Sequence, residues 1–155
     1  MSTTPIRIRR VRDDAVLPVR AHEGDAGLDL VSVESATLAP AGGRAVVGTG
    51  LAVEIPAGWV GLVCPRSGLA ARHGIGVVNG PGVIDSGYRG EVRVVLYNTD
   101  PTETFYVEAG DRIAQLVITP ALLVGVEEVE ELSAATRDAD GFGSTGGFGF
   151  SGGFG

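Results

Sequence analysis

The chain contains no lysine; all twelve of its basic residues are arginine. A phosphate group bound here must therefore be held by guanidinium forks, backbone amides or a metal ion, and no GxxxxGK loop is present. Cysteine is almost missing too. A single Cys64 excludes a disulfide within the chain and any cysteine-based metal cluster, and its setting in VGLVC predicts a small core residue. His22 and His73 are the only histidines, too few and too far apart for an HExxH-type zinc site. No run approaches the roughly 18 apolar residues of a transmembrane helix, and MSTTPIRIRR lacks the apolar stretch of a secretion signal. These absences predict a soluble cytoplasmic protein without membrane association. The net charge of −7 argues against general nucleic-acid binding, for which a basic surface is expected.

Aromatic residues are few beside abundant Val, Ala and Gly, and 155 residues suffice for one domain with a real core. Short runs of strand character recur between turn signals: IRIRRV, VLPVR, LDLVSV, RAVVGTG, LAVEIP, WVGLVC, VRVVLYN, TFYVEAG, RIAQLVITP and VGVEEVEEL. Their spacing predicts an all-β, jelly-roll-like barrel. Leu51, Val53 and Ile55 alternate with Glu54 as a half-buried strand should, and Gly58, Gly61, Gly110 and Pro101 read as turn punctuation. One segment departs from this pattern. In RSGLAARHG, Ser67 is a candidate N-cap, Leu69 to Arg72 a short helical run and Gly74 its stop. A helix start flanked by Arg66 and the Ser67 hydroxyl suits a phosphate, and also fits an ordinary capped turn.

The stretch GPGVIDSGYRGE, from Gly80 to Glu91, encloses one carboxylate, Asp85, among glycines with Tyr88 and Arg89 beside it. A carboxylate to take a proton, a flat ring to stack and a guanidinium to hold an anion are the parts of a pocket. A plain hairpin turn uses the same residue types, and the segment alone leaves both readings open. From Arg137 onward, RDADGFGSTGGFGFSGGFG has no aliphatic core residue but alanine, so it is expected to be mobile when free. Its phenylalanines have no use in a linker, whereas a tail folding over a bound base would use them.

Together these segments resemble the homotrimeric dUTPase family. AGLDL from Ala26, PRSG from Pro65, GVIDSGYRGE from Gly82, GDRIAQLV from Gly110 and RDADGFGSTG from Arg137 match that family's five motifs in order. The resemblance implies a jelly-roll-like distorted β-barrel over residues 1–136 with one short helix. It also implies a flexible Gly/Phe-rich arm at 137–155 and a homotrimer whose active sites are shared between subunits. The implied activity is hydrolysis of dUTP to dUMP and pyrophosphate, limiting uracil incorporation into DNA and supplying dUMP for dTMP synthesis. Asp85 corresponds to the carboxylate that deprotonates the water attacking the α-phosphorus. Tyr88 corresponds to the ring against the deoxyribose. Asn79, the backbone of Gly82, Val83, Ile84 and Asp85, and the strand near Arg93 correspond to the hairpin that reads uracil. Arg66, Ser67, Gly68 and Gln115 correspond to phosphate contacts, and Asp29 to the acidic residue near Mg²⁺, acting through metal-bound water. In the arm, Arg137 corresponds to the γ-phosphate arginine, Phe142 to the ring over uracil, and Ser144 and Thr145 to donors for the terminal phosphates.

The arm departs from the family pattern, because Asp138 and Asp140 stand where glycines are expected. Two negative charges near a triphosphate oppose closure. DGFGSTG is followed by the near-repeat GGFGFSG, so Phe148 competes with Phe142 for the stacking role. Arg137 lies five positions before Phe142, while Gly143 holds the corresponding place before Phe148, which favours the first copy. Two other function classes fit the same residues less well: a dCTP deaminase, whose chemistry needs a glutamate base, and a trimeric binding module without turnover.

Overall fold

The computed structural model of the chain describes residues 6–133. Ten strands and one helix follow in the order β1 (Arg7–Arg10), β2 (Gly27–Val31), β3 (Ala36–Leu38), β4 (Arg44–Glu54), β5 (Trp59–Cys64), α1 (Ser67–His73), β6 (Ile75–Val77), β7 (Gly82–Ile84), β8 (Glu91–Asn98), β9 (Phe105–Val107) and β10 (Arg112–Pro120). They form a sheet ordered β1-β4-β8-β6, a second ordered β2-β10-β5-β7, and a small β3-β9 pair, all antiparallel. The fold is all-β and jelly-roll-like, and among the described residues the sheets are not hydrogen-bonded into one closed barrel.

Period-two patterning builds these sheets. In β8, Val92, Val94, Leu96 and Asn98 turn inward while Arg93 is exposed and Glu91, Val95 and Tyr97 are half-buried. One apolar cluster joins the two large sheets and the small pair, with Leu30, Val47, Val53, Val63, Leu96 and Leu116 among its members. Asn98 is buried within this layer, and its amide donates to the carbonyls of Leu38 (3.2 Å) and Glu103 (2.8 Å). A buried amide without such partners would be costly. Among the described residues, no buried side-chain N or O lacks a partner.

Several expectations change on contact with the structure. RAVVGTG and LAVEIP are one strand, β4, rather than two. Gly50 at φ 66° lets the chain pass through an irregular register between Gly48 and Ala52 without ending the ladder. Gly61 is not a turn residue but lies buried within β5, where an added Cβ would come within 3.2–3.3 Å of Ile55, Ile84 and Leu116. VLPVR forms no strand; Pro18 has no N–H to give to a ladder. Ser67 is not the N-cap. Arg66 holds that position in extended backbone, and its carbonyl accepts the Ala70 N–H at 3.0 Å, closing the first turn. Gly74 ends the helix at φ 64°, as expected. Cys64 is half-buried at the end of β5 rather than fully in the core.

By its contacts the chain divides into two units, residues 1–123 and 124–155. The first holds every strand named above. In the second, the described residues 124–133 contain no strand, so VGVEEVEEL does not pair as its pattern predicts, and Val126 is fully exposed (100%). The expected boundary between residues 136 and 137 lies outside the described residues. No helix among the described residues is long and apolar enough to cross a membrane.

Candidate active site

The Gly80–Glu91 stretch is more than a connecting turn. Beyond β6, Asn79 and the Gly80–Pro81 peptide, which is cis, lead into β7. Among the described residues that strand pairs only with β5 and ends its sheet, which leaves one edge of its backbone unpaired. An unpaired edge offers N–H and C=O groups in fixed directions, which suits recognition of a planar ligand's edge. A cavity of about 160 Å³ opens beside it, lined by Asn79, Gly82, Ile84, Asp85, Tyr88 and Arg93 among others. Val83, at 63% exposure, faces away from the core on the same short strand. A Cβ at Gly82 would lie 3.2 Å from the Asn79 amide nitrogen, so glycine lets that amide approach the strand.

Asp85 opens the turn between β7 and β8. Its backbone carbonyl accepts the Tyr88 N–H at 3.0 Å, and its exposed carboxylate has no hydrogen bond or ion pair among the described residues. The carboxylate is thus available to a ligand or a water. Tyr88 donates its hydroxyl to the Glu91 carbonyl at 2.8 Å, and a Cβ on Gly90 would meet that hydroxyl at 2.5 Å. Only glycine at position 90 leaves room for the ring. Arg89 does not reach toward a ligand here: its Nη1 donates to the carbonyls of Ser86 and Tyr88, both at 2.7 Å, and its Nη2 lies 3.8 Å from Glu54. It fastens the turn. Arg93 points its Nη2 toward Glu34 (3.5 Å) and the Val46 carbonyl (3.4 Å).

A second cavity, of about 410 Å³, gathers Asp29, Arg66, Ser67, Gly68 and Gln115, with Asp25 and Gly27 also in its lining. The β2-β10-β5 pairing explains the convergence. Asp29, Gln115 and Cys64 lie in one row across the three strands, and the chain leaves β5 directly into Pro65 and Arg66. Gln115 donates to the Pro65 carbonyl at 3.0 Å, tying the row to the start of α1. A Cβ at Gly27 would lie 2.3 Å from the Gln115 Oε1, so a side chain there would displace the end of Gln115. Asp29 accepts from Arg66 Nε at Oδ1 and from Arg112 Nη1 at Oδ2, both at 3.2 Å, with its side chain only 13% exposed.

Every expected site residue among those described falls at one of these two cavities. Their linings share no residue. Arg137, Phe142, Ser144 and Thr145 lie outside the described residues. Sequence reasoning passed over Arg112 and Gly27, and it read Gly90 as a glycine for backbone freedom rather than as room for the Tyr88 ring. Each stands inside or beside a recognised motif, and their roles depend on which side chain each one meets in space.

The Asp29 surroundings bear on whether a metal could be held. No group of three or more His, Cys, Asp or Glu is placed to cage an ion among the described residues. Asp29 already serves two guanidinium groups, yet each carboxylate oxygen has a second lone pair able to accept from water. With two guanidinium groups already on Asp29, the described residues offer a hard cation no cage, only contact through the cation's own waters.

An all-β chain with the exposed Asp85 carboxylate in one cavity and Arg66 with Ser67 and Gly68 in the other is equipped to hold a planar group and a polyanion. The comparisons agree with that class. A dUTPase family model matches residues 13–146. The deoxyuridine 5'-triphosphate nucleotidohydrolase of Corynebacterium glutamicum is 55% identical over 141 residues, covering 91% of this chain and 94% of the relative. That of Clostridium acetobutylicum is 53% identical, covering 91% and 96%. Among solved structures, a variant of the Staphylococcus bacteriophage 80alpha dUTPase with dUpNHpp matches with a TM-score of 0.82 at 32% identity, covering 93% of this chain and 99% of that one. A variant dUTPase from phage phi11 of S. aureus, described with a structural Mg(II) ion, matches with a TM-score of 0.76 at 30% identity, covering 83% and 98%. The chain belongs to the dUTPase family.

Proposed function

We propose that the protein hydrolyses dUTP to dUMP and pyrophosphate, with Asp85 as the base that activates water. The observation that carries this reading is the exposed Asp85 carboxylate, unpaired among the described residues, in the lining of the β7 cavity of a chain of the dUTPase family. In the proposed reaction Asp85 takes a proton from water as the water oxygen bonds to the α-phosphorus. The bond from that phosphorus to the bridging oxygen breaks on the opposite side, and pyrophosphate leaves. Asn79 and the backbone of Gly82, Val83 and Ile84, with the strand near Arg93, read the uracil edge, and a thymine methyl has no room. Tyr88 packs against the deoxyribose and excludes a 2′-hydroxyl. The consequence is less uracil in DNA and a supply of dUMP for dTMP synthesis, in the cytoplasm.

Arg66, Ser67, Gly68 and Gln115 hold the phosphates in this reading, and Asp29 stands near the ion. Bound Mg²⁺ would offset phosphate charge and favour one triphosphate geometry. The separate linings of the two cavities support a site completed between subunits of a homotrimer, with one chain's hairpin facing another's Arg66 cavity. The arm residues Arg137, Phe142, Ser144 and Thr145 would cover the bound nucleotide. Pyrophosphate release from dUTP, dTTP, dCTP and UTP, measured with and without Mg²⁺ for the wild type and Asp85→Asn, tests the proposal. Turnover of dUTP alone, nearly abolished in Asp85→Asn with nucleotide binding retained, is expected; unchanged turnover in the variant overturns the role of Asp85.

A further inference from the structure

Arg112 has no place in the function described so far, yet it is built into the arginine-bearing cavity from behind. It lies at the start of β10, where the pairing with β2 shifts register between Arg112 and Ala114. The irregularity interrupts strict alternation: Ile113 and Ala114 are both buried, and the Arg112 side chain reaches sideways to Asp29. Three contacts then close a small network. Asp29 Oδ1 takes Arg66 Nε, Asp29 Oδ2 takes Arg112 Nη1, and the backbone carbonyl of Arg112 takes Arg66 Nη1, each at 3.2 Å. Arg66 Nη2 is left without a hydrogen-bond partner among the described residues, on a side chain that lines the cavity with Ser67 and Gly68.

A carboxylate facing a single arginine prefers to take two parallel N–H donors from it. Were Asp29 free to do so, it would claim Arg66 Nη2 or Nη1 as well as Nε and turn the guanidinium away from the cavity. Arg112 occupies the second oxygen and keeps Asp29 to one donor of Arg66. We propose that Arg112 is a positioning residue for phosphate binding: by dividing the Asp29 carboxylate between two arginines, it keeps a guanidinium edge of Arg66 free for the anionic end of the substrate. Arg112 is absent from the lining of that cavity and meets it through Asp29, while with Arg66 it lines a separate opening of about 240 Å³. The inference rests on the functional reading above, in which Arg66 holds the triphosphate.

The test is calorimetric titration of the full-length protein with dUpNHpp and with dUMP, both in the presence of Mg²⁺. Arg112→Met is expected to weaken dUpNHpp about tenfold, the equivalent of one lost charge-assisted contact, and to leave dUMP within about twofold. Its Arg112 side chain is 55% exposed, and substitutions at such positions usually change stability by no more than about 0.5 kcal/mol; a melting curve checks this. Arg112→Lys, which keeps a cation for Asp29 Oδ2, should recover most of the affinity. In an Asp29→Asn background the Arg112→Met change should alter dUpNHpp affinity less than twofold, because the carboxylate it acts through is gone. Equal affinity of wild type and Arg112→Met for dUpNHpp overturns the inference while leaving the functional reading intact, as does full additivity with Asp29→Asn. Failure of the wild type to bind dUpNHpp overturns the functional reading, and this inference with it.

Discussion

Placing a single methyl group at position 90 is expected to weaken both turnover and sugar discrimination. The Cβ of Gly90→Ala would sit 2.5 Å from the Tyr88 hydroxyl, 2.7 Å from Cζ and 3.1 Å from Cε2. Restoring an ordinary contact of 3.4 Å moves the end of the ring by about 0.9 Å. That displacement breaks the 2.8 Å bond from the hydroxyl to the Glu91 carbonyl, a contribution of about 0.5–1.5 kcal/mol. The larger effect is geometric. Tyr88 stands in the same short turn as Asp85, and a misplacement of about 1 Å near reacting groups costs on the order of 10²-fold. We expect kcat/KM for dUTP to fall by about 10- to 100-fold in Gly90→Ala, with the preference for dUTP over UTP narrowed because the ring guarding the 2′ position has moved. Tyr88→Phe, which loses only the hydroxyl bond, should fall by about fivefold. Steady-state pyrophosphate release on both nucleotides measures each value. An unchanged dUTP-to-UTP ratio in Gly90→Ala, with the melting temperature preserved, would refute the role given to the Tyr88 ring.

Gly27→Ala should act in the other cavity: its Cβ would lie 2.3 Å from Gln115 Oε1, so Gln115 must leave the Pro65 carbonyl, and KM for dUTP should rise several-fold in the same assay. Leu96→Ala should lower stability by about 2–5 kcal/mol, read from the denaturant midpoint, because Leu96 is a fully buried part of the core that joins the sheets. Asp100 accepts the backbone N–H groups of Glu103 (2.8 Å) and Thr102 (2.9 Å), which hold its carboxyl below the ordinary value of 3.8. Its stabilising contribution is therefore present above pH 3.8 and is lost as pH falls through the lowered folded-state value. Asp100→Asn should accordingly flatten the fall of melting temperature with acid below about pH 4.

Much of this molecule could be read before its shape was known, and the parts that could not share a physical cause. VRVVLYN carries the two-residue alternation of a strand with one buried face, and β8 follows it closely. VGVEEVEEL carries apolar residues too, but a strand needs a partner edge, and a local pattern says nothing about whether one is offered. Gly50 and Gly61 look alike in sequence. One takes positive φ inside a long strand and the other makes room for three apolar side chains, a difference set by neighbours far away in the chain. The same holds at the site. The motifs pointed to Asp85, Asn79, Arg66 and Gln115, and the fold sorts them into two cavities. The division of Asp29 between Arg66 and Arg112 depends on a register shift in β10, and Arg89 turns back on its own hairpin. Neither arrangement has a signature in residue type or spacing.

The central claim is that water is delivered to the α-phosphorus of dUTP. A single turnover in ¹⁸O-labelled water, with products separated and weighed by mass spectrometry, tests it most directly. The account predicts that the label appears in dUMP and that pyrophosphate is unlabelled. Label in pyrophosphate, or no cleavage of dUTP at all, would contradict it.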